Sequence, residues 1–180
     1  MGRICFMILL LSNTAVAQKN INKTDPCYLL KRPLDCAIIE HNARKILVGQ
    51  DDCVLALIDS VYSNLTRTKG VNFLIALDSI AKNSDGYVSD YLMEIGVKLF
   101  YQDLSLVANY LCKRRTSSPA IERLIIESMS SYLSGTKERD KKQQKIIEFV
   151  DREKKEQKID HDSYAYIMHL VKQFDPKMFD

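Results

Sequence analysis

The sequence predicts an all-α protein of six to eight helices in antiparallel hairpins, either a HEAT-like stack or a compact helical bundle, braced by disulfides. Three observations carry that expectation. From residue 34 onward, apolar side chains recur every three or four residues and nowhere alternate as a half-buried strand would. Polar turns carrying Gly, Pro or a helix-capping residue separate the apolar runs. Four cysteines remain once an N-terminal leader is set aside.

The leader is read from residues 1–17. Arg3 precedes the apolar run Ile4 to Leu11, and Ala15-Val16-Ala17 supplies the small residues of a signal-peptidase site. About eight strongly apolar residues fall well short of the ~20 that a membrane-spanning helix needs. Cleavage after Ala17 is therefore expected, with export to the periplasm or the extracellular space and no membrane span in the mature chain. Gly2 and Cys5 do not make a lipidation signal, because position 6 is Phe rather than Ser or Thr.

Residues 18–33 are polar and contain Pro26 and Pro33, and they are expected to form an extended N-terminal arm. Residues 34–180 then form a single helical domain. Pro33 suits the first turn of a helix carrying Ala37, Ile38, Ile39, Ala43, Ile46 and Leu47, which ends near Gly49. Asp51 or Asp52 is placed to cap a second helix, with the stripe Val54, Leu57, Ile58 and Val61. A third carries Phe73, Leu74, Leu77, Ile80 and Ala81. The turn Asn83-Ser84-Asp85-Gly86 follows, with Ser84 or Asp85 as cap, and leads into Val88, Tyr91, Leu92, Ile95 and Leu99 on one face. Asp85 has no acid, base or nucleophile near it in sequence, so the turn reads as a corner.

The scheme recurs about 32 residues later. Ser118 is placed to cap, Pro119 falls at the first helical position, and Ile121, Leu124, Ile125, Met129, Tyr132 and Leu133 form the dry face. A hairpin repeated at a period in the low thirties is the pattern of stacked-helix solenoids. Residues 137–158 read as a long charged helix, steadied by i,i+4 ion pairs and pinned through Ile146, Ile147, Phe149 and Val150. A last helix bears Tyr164, Ile167, Met168, Leu170, Val171 and Phe174.

Cys5 leaves with the leader, so Cys27, Cys36, Cys53 and Cys112 are the disulfide candidates. If successive helices alternate in direction, Cys53 and Cys112 lie at one level and Cys36 at the other, roughly 20 Å away by helix rise. Bridged Cα atoms must lie within ~7 Å. The expected pairing is thus Cys27–Cys36 with Cys53–Cys112.

Little points to chemistry. No C-x-x-C or paired-His spacing marks a metal site, no G-x-S-x-G elbow a nucleophile, and six glycines offer no phosphate-cradling loop. Of the three histidines, His41 reads as an exposed helix residue. His161 lies between Asp160 and Asp162, which look like caps, and His169 is two turns further on, too far to share a metal. No cofactor is expected. The net charge of +3 becomes +2 without Arg3, too weak for general binding of nucleic acid. Sequons at Asn22 and Asn64 allow glycosylation only in an organism that glycosylates exported proteins. The function expected is a non-catalytic protein-interaction module. The alternatives are an envelope immunity or inhibitor protein that neutralises a toxin or hydrolase, and a hydrolytic enzyme built from scattered acids with His161 or His169.

Overall fold

A computed structural model describes residues 23–134 and 138–179. The expected leader, its cleavage site and the Asn22 sequon lie outside the described residues. Nine α-helices occur among them: α1 (Pro26–Leu29), α2 (Cys36–Ile46), α3 (Asp51–Thr68), α4 (Val71–Asn83), α5 (Gly86–Gln102), α6 (Leu104–Arg114), α7 (Ala120–Leu133), α8 (Arg139–Lys155) and α9 (His161–Val171). Short 3₁₀ turns span Arg115–Ser117 and Pro176–Phe179. No strand is present among the described residues.

The helix count exceeds the expected six to eight because α1 forms inside the segment expected to be extended. Asp25 accepts the Cys27 backbone N–H at 2.9 Å, and Pro26 needs no donor at the first helical position. A proline read as a breaker starts a helical turn instead.

Capping explains the other boundaries, with corrections. Asp35 Oδ1 accepts the N–H groups of Ala37 and Ile38 at 3.0 and 3.2 Å and starts α2. Gln50, not an aspartate, occupies the N-cap of α3, and Asp51 and Asp52 sit in its first turn, where their charge complements the helix dipole. Asp85 stands at the N-cap of α5 but its side chain accepts no capping bond. The corner is held instead by Ser89, which donates to Ser84 Oγ at 3.1 Å, and by Ser84, which donates to Ala81 O at 3.0 Å. Gly86 has φ +46 there, a conformation that glycine adopts without strain.

The pairs α2/α4 and α3/α5 lie side by side and run in the same direction. Along α3 and α5 the bonded pairs keep their order: Asp51 with Tyr87, Asp59 with Tyr91, Tyr62 with Gln102. On α2 and α4, Cys36 meets Asn72, and the Glu40 carbonyl accepts from Ser79. The α5–α7 pair is drawn together at Gly96. A Cβ there would lie 2.1 Å from Ser128 Oγ, 2.8 Å from Ser128 Cβ and 3.2 Å from Leu124 O, so only glycine permits this approach.

The dry faces predicted for α5 and α7 are buried, except that Tyr91 is half-buried and Tyr132 exposed. Toward the C-terminus, Ile146 and Val150 of α8 are fully buried. Phe149 lies 6.0 Å from the Phe100 ring and 5.1 Å from Tyr101, and Phe174 meets Phe100 edge-on at 5.7 Å. The four-residue patch therefore anchors an otherwise charged helix, as its sequence implied.

The cysteine pairing differs from the expectation. Cys27 bridges Cys53 with Cα atoms 5.0 Å apart, while Cys36 and Cys112 are free thiols. Helix levels could not anticipate this, because the partner of Cys53 sits on α1, a helix the periodicity did not show. Pro26 packs so closely on the α2–α3 corner that a Cβ on Gly49 would stand 2.6 Å from its ring. That contact seats Cys27 beside the first turn of α3.

Three outcomes can be measured. Gly96→Ala should destabilise by about 1–3 kcal/mol, because overpacking outweighs the ~1 kcal/mol gain in helix propensity; a raised urea midpoint would refute the close approach. Intact mass of the chain from residue 18 onward should show the loss of two hydrogens, with Cys36 and Cys112 alkylated without reductant. Cys27→Ser with Cys53→Ser should cost about 2–4 kcal/mol.

Candidate functional site

Two polar clefts gather the ionisable side chains. The larger, of about 640 Å³, lies between α4, α6 and α7 and is lined by Asp78, Lys82, Arg114, Ser117, Ser118, Glu122 and Arg123, among others. Its centre is Asp78 on α4. Asp78 Oδ1 accepts the Ile121 N–H at 2.8 Å, capping α7 from another helix, and Oδ2 accepts the Tyr110 hydroxyl at 3.1 Å. Ser118, expected to cap α7, instead takes a left-handed conformation at φ 45, and Pro119 holds the N-cap position. The second acid, Glu122, accepts the Tyr166 hydroxyl from α9 at 2.7 Å. Both acids thus serve as acceptors for neighbouring helices.

The bases of this cleft are less committed. Lys82 and Arg114 make no ion pair with a described residue, and Arg123 approaches Glu127 only at 3.7 Å while largely exposed. The Arg114 guanidinium stands 5.1 Å above the Tyr110 ring, which holds it by a cation–π contact.

The second cleft, of about 570 Å³, lies where the α5–α6 corner meets the end of α8. Asp103, whose side chain is fully buried, pairs through Oδ1 with Lys69. Its Oδ2 has no donor among the described residues, a loss of about 1–3 kcal/mol for a buried acceptor. On the opposite wall Lys158 bridges Glu153 at 3.0 Å and Glu156 at 2.7 Å. Each carboxylate faces a lysine, an arrangement of ion pairs rather than of one charged and one neutral carboxyl set apart for acid–base work.

The side chains singled out in the sequence lie elsewhere. His41, His161 and His169 are all exposed, and none lines either cleft. His41 Nδ1 lies 2.7 Å from the Ala37 carbonyl, and His161 Nδ1 lies 3.3 Å from Lys154 Nζ. Asp160 caps α9 through the Ser163 N–H at 2.7 Å, as its position beside His161 implied. Burial first, then the Asp35 charge, pushes the Cys36 thiol up, away from thiolate chemistry. Asn64 sits inside α3 with its amide donated to Ser60 O at 2.8 Å, a poor setting for a glycan acceptor. Among the described residues no group of three or more His, Cys, Asp or Glu side chains could hold a metal ion.

Sequence reasoning missed Asp78, Tyr110, Glu122 and Tyr166. Asp59–Tyr91 and Asp78–Tyr110 are bonded pairs with the same separation of 32 residues, a match that only the structure reveals. No protein-family model matches the chain, and no curated protein or solved structure does so either.

The tyrosines give a pH test. Burial is the largest cause in each case; it raises Tyr62 to about 12, with the Asp103 charge second, and Tyr91 to about 12, with the Asp59 hydrogen bond second. Tyr101 is raised to about 12, and Tyr110 and Tyr166 are raised as well. Each folded-state pKa exceeds the ordinary value of 10.0, so this stability is whole below pH 10 and is lost as pH rises through 12. Phenolate absorbance should lag and then rise with loss of helical circular dichroism. Titration of all nine tyrosines near pH 10, with the helices intact, would contradict it.

Proposed function

We propose that this chain is an exported, non-catalytic interaction module whose stacked helical hairpins present a surface to another protein. The observation that carries the reading is that two interhelical fasteners share one separation in sequence. Asp59–Tyr91 and Asp78–Tyr110 repeat at 32 residues, and Asp51–Tyr87 follows at 36. That spacing supports a hairpin as the repeating unit, as in solenoids that bind through extended surfaces. The Cys27–Cys53 bridge is compatible with an oxidising compartment, and no helix among the described residues is long and apolar enough to cross a membrane. The acids of the larger cleft accept bonds from other helices, which favours a structural use over a reactive one.

Capture from an envelope extract by the immobilised mature chain should return one dominant partner in stoichiometric amount. If that partner is a toxin or hydrolase whose activity falls on binding, the module acts as an immunity or inhibitor protein. Recovery of no partner, together with turnover of an envelope substrate by the purified chain, would overturn the reading.

A further inference from the structure

We infer that the cleft where the α5–α6 corner meets the end of α8 binds a short neutral oligosaccharide, a site that goes beyond the protein-interaction reading and does not rest on it. Charge argues against an ionic ligand. Lys69 pairs with Asp103, and Lys158 pairs with Glu153 at 3.0 Å, so the wall offers no surplus of either sign. What it offers is unused hydrogen-bonding capacity. The Asp103 side chain is fully buried, yet its Oδ2 accepts from no donor among the described residues. A buried carboxylate oxygen of that kind calls for a partner. Beside it, α6 begins without a side-chain cap, and its first residues Leu104, Ser105 and Leu106 line the cleft. The first backbone N–H groups of a helix have no acceptor within it. One point thus lacks a donor and its neighbour lacks an acceptor. A hydroxyl is both at once.

The rest of the wall suits several hydroxyls rather than one. Ser105 and Asn109 lie one turn apart on α6, both exposed, and the Asn109 amide bonds no described residue. Gln102 accepts the Tyr62 hydroxyl through Oε1 and keeps its N–H donors. Ser105 donates to the Lys158 carbonyl at 2.6 Å, which fixes the α8–α9 corner against this face and leaves the serine oxygen as an acceptor. Tyr101, half-buried, supplies an aromatic surface on which the C–H groups of a sugar ring pack. Lys69, more than half exposed, is the movable part of the wall, and its shift admits a hydroxyl to Oδ2. An extended peptide would need apolar pockets for its side chains; the aliphatic lining here is Leu104, which is buried, and Leu106, which is half-buried. The volume of about 570 Å³ falls within the ~300–1,000 Å³ of small-ligand sites.

The test titrates the isotope-labelled chain from residue 18 onward with triacetylchitotriose, cellotriose and maltotriose at millimolar concentration. Trigalacturonate and deacetylated chitotriose serve as the charged counterparts. At least one neutral trisaccharide should shift the amides of residues 101–109 and 153–158, and the charged ones should bind more weakly. Asn109→Ala, on the exposed rim, should weaken that binding about tenfold with an unchanged thermal midpoint. Asp103→Asn should abolish it. That second variant also frees Lys69, so its helical circular dichroism is compared with the wild type, and Asn109→Ala decides the matter where Asp103→Asn does not fold. No shift from any neutral trisaccharide would overturn the site and leave Oδ2 to water alone. Binding that survives Asn109→Ala in full, or that favours a charged trisaccharide, would overturn it as well. The partner capture uses no sugar, so this site can fail while the interaction module stands.

Discussion

The placement of α6 and α7 depends on one carboxylate, that of Asp78. It projects from α4, accepts the Tyr110 hydroxyl of α6 and caps α7 through the Ile121 N–H. One carboxylate thereby joins α4 to two helices whose bonded residues lie 32 and 43 positions further along the chain. An N-cap bond is worth about 1 kcal/mol, and a half-buried carboxylate deprived of its donors costs more than the bond itself. The α6–α7 corner depends on it. Ser118 holds φ 45 there, a left-handed conformation that costs a non-glycine residue about 1–2 kcal/mol. The strain persists because the start of α7 is anchored from across the fold.

Hydrophobic burial supplies stability but little register, since it is non-directional. Register comes from tyrosine hydroxyls donated to carboxylates on other helices: Tyr87 to Asp51, Tyr91 to Asp59, Tyr110 to Asp78 and Tyr166 to Glu122. A tyrosine suits this task because its ring packs against apolar side chains while its hydroxyl reaches the polar rim. Gly96 acts differently, by letting α5 and α7 approach until Ser128 fills the space a side chain would need. The same chemistry closes the α8–α9 hairpin, where Tyr164 donates to Asp151 at 2.7 Å.

Helical class, the positions of seven helices and most of their dry faces could be read from the sequence, because amphipathic spacing is a local property. Ile121, Leu124, Ile125, Met129 and Leu133 recur at helical intervals, and all of them are buried. The helix α1 escaped that reading: four residues are too few to show a period, and Pro26 signals a break as readily as a first turn. The disulfide followed it out of reach, since Cys27 meets Cys53 only through the packing of Pro26 against Gly49. Asp78 was invisible for a different reason. Its partners are non-local, and nothing about an aspartate in the middle of a helix announces which distant N–H it will meet.

The tyrosine fasteners also shape the surface. Each one engages a carboxylate as an acceptor, while lysines and arginines, which carry only donors, cannot be used by a phenol hydroxyl in that way. The acids keep their charge, and Asp51 and Asp59 remain exposed. At the α6–α7 corner Lys82, Arg114 and Arg123 stand around two acids that hold other helices and still balance much of the local positive charge. The bonds that set the helix register therefore also fix where negative charge sits among the bases of this surface, so a change at Asp78 or Glu122 alters packing and surface electrostatics together.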